Sequence, residues 1–385
     1  MFDSATFNHA ARVISSITGD IPADAALRRY LGLARRLGPS EKRAISRALF
    51  TYYRWWRWLD PKASLQKQLE QAATLHDRFT RDPKSVKAET LAVRAVPDWL
   101  RDELTLSAPY LQQLQREPAL WLRARPNTAH KLAVELGDCE HPSTVEVATP
   151  SIRIEAPDAL RFDGKKDLFL TPQFHAGAFE IQDLASQIVG LAAAPQPKQT
   201  WWDACAGEGG KTLHLADLMT NKGLIWSTDR NARRLETLKR RAARAHIFNF
   251  RTGLWDGGAR LPNKTRFDGI LVDAPCSGVG TWQRNPHARW TTTIEDVREL
   301  ATLQLTLLNH AAAALKPGGK LIYAVCTLTR SETTAVANAF AAEHAEMEPA
   351  VLFEGKSSTS LSQLTLWPHE LNANGMFIAA WKKRS

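Results

Sequence analysis

Cysteine is scarce in this chain, with four in 385 residues. Cys139, Cys205, Cys276 and Cys326 stand far apart and form neither a CxxC pair nor a Cys/His cluster. That spacing argues against a zinc ribbon and a disulfide framework, so any cysteine that matters works as a thiol. Long apolar runs are missing too, because no stretch reaches the roughly 20 apolar residues of a membrane span. The opening "MFDSATFNHAARV" lacks the basic start and apolar core of a secretory signal. Internal repeats and low-complexity tracts are also absent. The expectation is a cytoplasmic protein, a monomer, with no membrane partner and no bound metal.

A hydrophobic content of 44% over this length is enough for two or three domains with their own cores. The formal net charge of +10 favours a polyanionic partner, since lysine and arginine that neutralise phosphates release counterions. The stretch "LRRYLGLARRLGPSEKRAISRALFTYYRWWRWL" (27–59) interleaves arginine with aromatics. It reads either as a helical RNA-binding surface or as a helical core with a solvated arginine face.

Three parts can be distinguished. Residues 1–80 carry helical periodicity, with Ser40 offered as an N-cap ahead of Glu41. Residues 81–160 read as a small α/β module of RRM-like type: "ALWLRARP" (119–126) and "SIRIEAP" (151–157) as strands, "NTAHKLAVELGD" (127–138) as a helix. Residues 161–385 alternate buried strands ("LIWSTD", "FDGILVDAPC", "KLIYAVC") with helical patterns, which implies a mostly parallel, doubly wound sheet.

The stretch "WWDACAGEGGKTLHL" (201–215) runs from an apolar strand through a glycine turn into a helix. A phosphate-binding loop of the form G-x-x-x-x-G-K-[ST] would need glycine where Cys205 stands, and a G-x-G-x-x-G fingerprint from Gly207 would need it at Thr212. Nucleoside triphosphate and NAD are thereby disfavoured. A turn of small residues remains, with Asp229 at the end of the next strand, where a carboxylate can accept hydrogen bonds from ribose hydroxyls. A nucleoside-like cofactor fits this pattern; glycines that merely make a tight turn are the plainer alternative.

Asp273 and Cys276 follow one further strand and Cys326 ends another. Lone cysteines usually behave as small hydrophobes. Two of them at strand ends that face the glycine turn suit covalent activation of a pyrimidine: a thiolate adds to an electron-poor ring carbon while a nearby acid balances the developing charge.

The segments "DACAGEGGKT", "DAPCSGVGTWQRNP" and "YAVCTLTRSE" resemble the three signature motifs of the RNA 5-methylcytosine methyltransferases of the RsmB/Nop/Sun family. "GAFEIQDLASQ" (177–187) is similar to the opening segment of that family's catalytic domain, and "LWPHELNANGMFIAAWKK" (366–383) to its closing segment. The resemblance covers residues 160 to 385 and implies a Rossmann-like S-adenosylmethionine-dependent methyltransferase domain. The helical beginning resembles the NusB-like RNA-binding extension of the RsmB branch.

By this resemblance Cys326 is the nucleophile that adds to carbon 6 of cytosine, and Cys276 helps to break the adduct. DNA cytosine methyltransferases instead use the Pro-Cys cysteine as nucleophile. Asp273 is implied at the cytosine edge, with Lys211 reaching the same pocket. The S-adenosylmethionine contacts implied are Cys205, Ala206, Gly207, Glu208, Gly209, Gly210, Lys211, Asp229, Asp256 and Asp273. Plainer readings make Asp256 a turn acid and Lys211 a surface charge at a helix start. The departures from the family pattern are Gly207-Glu208 in place of Ala-Pro, Gln283 for a basic residue, His287 for an acid and Asn374 for Asp. The helix "RNARRLETLKRRAARAH" (230–246) reads either as a phosphate contact or as an ordinary outer helix of the sheet. RNA is the implied partner, ribosomal first and transfer RNA second; a noncatalytic RNA-binding assembly factor on the same fold is the alternative.

Overall fold

The computed structural model describes residues 2–19, 21–148, 150–353 and 361–385. The chain divides into two compact units, one of residues 1–118 with 281–294, the other of 119–280 with 295–385. The expected boundary at residue 80 falls inside the helix Leu65–Arg81, and helices continue to Gln113.

The first unit is helical. Its opening helix, Ser4–Ser15, is capped by Asp3, whose carboxylate accepts from Thr6 N at 2.7 Å. The long helix Pro39–Trp55 begins at Gly38 rather than Ser40: proline pre-sets the first helical φ, and Glu41 Oε2 reaches back to accept from Gly38 N at 2.7 Å. The aromatic stretch is largely core, with Tyr52, Tyr53 and Trp55 buried and Trp56 left exposed. Arg54 departs from the solvated-face reading. It is 2% exposed, donates to Gln283 O at 3.0 Å, and burial pulls its pKa down to about 10.

The segment 281–294 belongs to this helical core. Arg289 is fully buried and donates to Ala95 O at 3.0 Å and Leu114 O at 2.9 Å, while Trp290 donates to Tyr53 O at 2.7 Å. Gln283 donates to Glu117 O at 3.1 Å, and His287 meets the Tyr53 ring edge-to-face at 4.7 Å. The unusual residues at 283 and 287 therefore serve packing inside the helical unit.

The second unit holds every strand described. A four-stranded antiparallel sheet of order β2-β5-β1-β6 uses β1 (Leu120–Ala124), β2 (Cys139–Glu140), β5 (Ala159–Phe162) and β6 (Phe179–Ile181); β3 (Thr144–Val147) and β4 (Ile152–Glu155) pair as a hairpin. The small sheet thus takes β6 from beyond the expected boundary at 160. The larger sheet has β7 (Thr200–Asp203), β8 (Leu224–Asp229), β9 (Phe250–Leu254), β10 (Phe267–Asp273), β11 (Leu315–Val325), β12 (Met347–Pro349), β13 (Gln363–Leu366) and β14 (Met376–Lys383). Its order is β12-β14-β11-β10-β7-β8-β9, with β13 also on β14; β11 to β9 run parallel and β14 antiparallel. This is the doubly wound α/β arrangement that the strand pattern predicts.

Both faces of β7 are buried, which explains its uninterrupted Trp201-Trp202. Gly269 in β10 makes room for them, since a Cβ there would lie 2.2 Å from the Trp201 ring. The order reverses at β7, with β8 on one side and β10 on the other, so a crevice opens beyond its carboxyl end.

Candidate active site

The crevice is a cleft of about 560 Å³ beyond the carboxyl ends of β7, β8, β10 and β11. Cys205, Glu208, Lys211, Asp229, Asp256 and Asp273 line it together with both motif cysteines. The turn after β7 is shaped by two glycines of positive φ, Gly207 at 54° and Gly209 at 85°. A Cβ on Gly207 or Gly210 would meet nothing within 4 Å, so both leave backbone open to a ligand. Gly209 does not line the cleft. It packs against the outer helix, where a Cβ would lie 2.5 Å from Leu238 Cγ.

Asp229 clamps this turn. Its Oδ2 accepts from Gly207 N at 3.0 Å and its Oδ1 from Asn231 N at 2.8 Å. Glu208 leaves its side chain exposed, and its carbonyl accepts from Arg241 at 2.9 Å. Arg241 in turn binds the buried Glu180 of β6, which also takes Arg125 and Arg244. The "GAFEIQ" segment thereby steadies the turn through two side chains. The helix Ala232–Arg244 packs as an outer helix of the sheet through Leu235, Leu238 and Ala242, while its Arg234 and the preceding Arg230 line the cleft. Asp256 is exposed and accepts from Gly258 N at 2.9 Å, so it is a turn acid that also borders the cleft.

Lys211 Nζ donates to Asp273 Oδ2 at 2.7 Å, and the lysine is 8% exposed, which removes the surface-charge reading. Burial pulls the ammonium's pKa down, but Asp273, with smaller help from Cys326, more than offsets this and leaves it raised. The Cys276 and Cys326 sulfurs lie 3.3 Å apart, both partly exposed. The hydrogen bond with Cys326 and then burial push the Cys276 thiol well up, with Glu332 adding in the same direction. Burial also pushes the Cys205 thiol well above its ordinary range, leaving it an inert lining group.

Three residues inside the quoted motif segments carry structural work that the motifs alone do not assign. Asp203 is fully buried beneath the turn, accepts from Thr212 at 2.6 Å, and is pushed up to about 7 by burial. Glu332 is fully buried between the two cysteine loops. Asp183 accepts from Asn374 N at 3.1 Å, which gives the Asn374 segment its anchor through backbone rather than through the side chain that departs from the family. Asp203 and Glu332 are acids with no access to solvent, a property that becomes visible only once burial is known. Among the described residues no cluster of His, Cys, Asp or Glu is arranged to hold a metal, and no helix is long and apolar enough to cross a membrane.

A family model described as 16S rRNA methyltransferase RsmB/F matches residues 190–382. The probable ribosomal RNA small subunit methyltransferase B of Synechocystis sp. is 34% identical over 306 residues, covering 74% of this chain and 66% of that protein. The ribosomal RNA small subunit methyltransferase B of Shewanella oneidensis is 32% identical, covering 77% of this chain and 69% of that protein. The 28S rRNA (cytosine-C(5))-methyltransferase of Mus musculus is 32% identical over 58% of this chain and 30% of its own length. The chain spans 66% and 56% of the lengths of the Synechocystis and Bacillus subtilis relatives. Among solved structures, PH0851 has a TM-score of 0.74 at 22% identity, covering 100% of this chain and 99% of its own. NSun6 from Pyrococcus horikoshii, crystallised with SFG, has 0.58 at 22% identity, covering 72% of this chain and 94% of its own. At such identity these two speak for the fold.

Proposed function

The chain belongs to the 16S rRNA methyltransferase RsmB/F family, and from that membership we propose that it methylates carbon 5 of cytosine in RNA, with ribosomal RNA as substrate and S-adenosylmethionine as methyl donor. The observation that carries this reading is the pair of thiols 3.3 Å apart, beside the Lys211–Asp273 ion pair, in one cleft with an open glycine turn. The cleft fits the cofactor. Gly207 and Gly210 leave an open backbone cradle, Asp229 offers carboxylate oxygens at its rim, and Trp255 and Leu307 give an apolar wall next to Asp256. Residues 205–211 with Asp229, Asp256 and Asp273 would hold it, and when bound it supplies an electrophilic methyl group.

The chain's own residues then do the following work. The Cys326 thiolate adds to carbon 6, forming an S–C bond and pushing the double-bond electrons to carbon 5, which becomes the nucleophile. Asp273 stands at the polar edge of the base, with Lys211 holding it in place. After methylation the carbon 5 proton passes to solvent water, its bonding pair reforms the double bond and the S–C6 bond breaks, returning Cys326 as thiolate. Cys276, in contact with the departing sulfur, acts in this release. The helical unit, read as NusB-like, and the small RRM-like sheet each bind RNA phosphates, and the target base must be unstacked before a thiolate can reach it.

Transfer of labelled methyl to RNA lacking the modification tests this reading. Label should appear in 5-methylcytosine, vanish with Cys326→Ala, and give way to protein trapped on RNA with Cys276→Ala. Cofactor and RNA binding without any transfer would establish the noncatalytic assembly factor instead.

A further inference from the structure

We infer that Glu332 is a positioning residue for the reaction: its carboxylate ties the Cys276 loop to the Cys326 loop and holds the two sulfurs in contact. The inference deepens the methyl-transfer reading and rests on it for its catalytic consequence, while its geometric content stands independently.

Five donors converge on this one fully buried carboxylate. Oε1 accepts from Ser277 N at 2.8 Å and from Gln304 Nε2 at 3.0 Å. Oε2 accepts from Thr327 Oγ1 at 3.0 Å, from Thr329 Oγ1 at 2.8 Å and from Ser277 Oγ. Ser277 follows Cys276 directly and Thr327 follows Cys326, so each sulfur is one residue from a tie. Gln304 adds a second hold on the first loop, since its Nε2 also donates to Pro275 O at 2.9 Å. Tyr323 in β11 fixes the clasp from behind, its one hydroxyl proton shared between Glu332 O at 2.6 Å and Gln304 Oε1 at 2.9 Å.

A carboxylate suits this place because it only accepts, and it offers about four lone-pair sites to donors from two separate loops. A buried acid without such partners would neutralise or leave the interior; five partners keep it there. Glutamine of the same shape must turn an N–H₂ towards some of those donors, and at Oε1 the facing groups are N–H donors that cannot reverse. Aspartate keeps the charge but cannot span both loops. Glu332 is out of reach of the cleft's contents, so its effect on chemistry passes through the cysteines.

Two readouts on Glu332→Gln and Glu332→Asp test the inference. Thiol proximity is read by diamide oxidation, in which the reagent takes two electrons and two protons as the Cys276–Cys326 S–S bond forms. Wild type should close this bond rapidly, and both variants should be at least about tenfold slower, with cofactor affinity changed less than about threefold. Methyl transfer should lose about 100-fold in kcat with little change in KM for RNA, the pattern of misplaced reacting groups. If Glu332→Gln fails to fold, Ser277→Ala and Thr327→Val each remove one tie and should cost about fivefold to tenfold in bond closure. Bond closure at the wild-type rate in the folded variants overturns the inference. So does a loss confined to stability, with kcat unchanged. A wild-type protein that transfers no methyl yet shows Glu332-dependent bond closure sinks the methyl-transfer reading and leaves the clasp standing.

Discussion

The Lys211–Asp273 pair can be tested by a double-mutant cycle of Lys211→Met, Asp273→Asn and both together. At 2.7 Å and an effective dielectric of about 20, the Coulomb attraction is about 6 kcal/mol, against a desolvation cost of several kcal/mol for each ion. A net coupling of about 1–3 kcal/mol should remain. The two single variants should differ, because the Lys211 side chain is 9% exposed and that of Asp273 is 28%. Asp273→Asn strands an ammonium with little access to water and should cost about 3–5 kcal/mol. Lys211→Met leaves a carboxylate that water can reach, so its cost should be smaller, about 1–3 kcal/mol. The lysine's raised pKa fixes the pH behaviour: its stabilisation is fully present below the ordinary 10.5 and is lost only above it, so the coupling should stay constant between pH 6 and 9. Urea denaturation of the four proteins gives all three quantities. A coupling below about 0.5 kcal/mol, or a larger cost for Lys211→Met than for Asp273→Asn, would refute the reasoning.

Asp203 makes the opposite kind of prediction. Its pKa is raised from 3.8 to about 7, so its burial penalty grows as pH climbs from about 4 to about 7, reaching roughly 4 kcal/mol at 1.36 kcal/mol per pKa unit. Asp203→Asn should therefore gain stability relative to wild type across that window, and parallel pH–stability curves would contradict it. Gly190 stands in the helix Leu184–Ala193, where alanine normally gains about 1 kcal/mol. A Cβ there would lie 2.2 Å from Nδ1 of the buried His214, so Gly190→Ala should instead lower stability by about 1–3 kcal/mol, and an unchanged or higher Tm would show that the ring can move aside. In the helical unit, Arg289→Met deprives the Ala95 and Leu114 carbonyls of their donor and should destabilise by about 2–4 kcal/mol. Hydrogen exchange should speed up in residues 88–114, and unaltered exchange there would remove the arginine's structural role.

How much could be read in the sequence depended on whether a residue's work is local. Period-2 and unbroken apolar runs mark β7, β8, β10 and β11, and glycine spacing alone disqualifies the rival nucleotide loops, so the cleft's rim was legible. Motif order was enough to bring Cys276 and Cys326 to neighbouring strand ends. The structure adds that the sulfurs touch, a fact set by the parallel register of β10 on β11. Gly209 was read as a ligand contact because glycine tolerates both backbone strain and close approach, and only the position of Leu238 separates the two. Ser40 lost the N-cap because Pro39 starts the helix earlier. Gln283 and His287 were legible only as departures from the family pattern, because their partners Glu117 and Tyr53 lie far away in sequence, in the helical unit. Glu332 shows the same limit: it closes the quoted segment "YAVCTLTRSE", yet three of its five donors, from Ser277 and Gln304, come from distant parts of the chain.

The most direct measurement uses RNA in which 5-fluorocytosine replaces the target base. Fluorine at carbon 5 cannot leave as a proton, so the adduct persists and can be digested and sequenced by mass spectrometry. The account predicts the nucleotide attached to Cys326, formed only when S-adenosylmethionine and RNA are both present if methylation precedes the block, and absent from Cys326→Ala. Attachment to Cys276, or steady methyl transfer to ordinary RNA by Cys326→Ala, would contradict it.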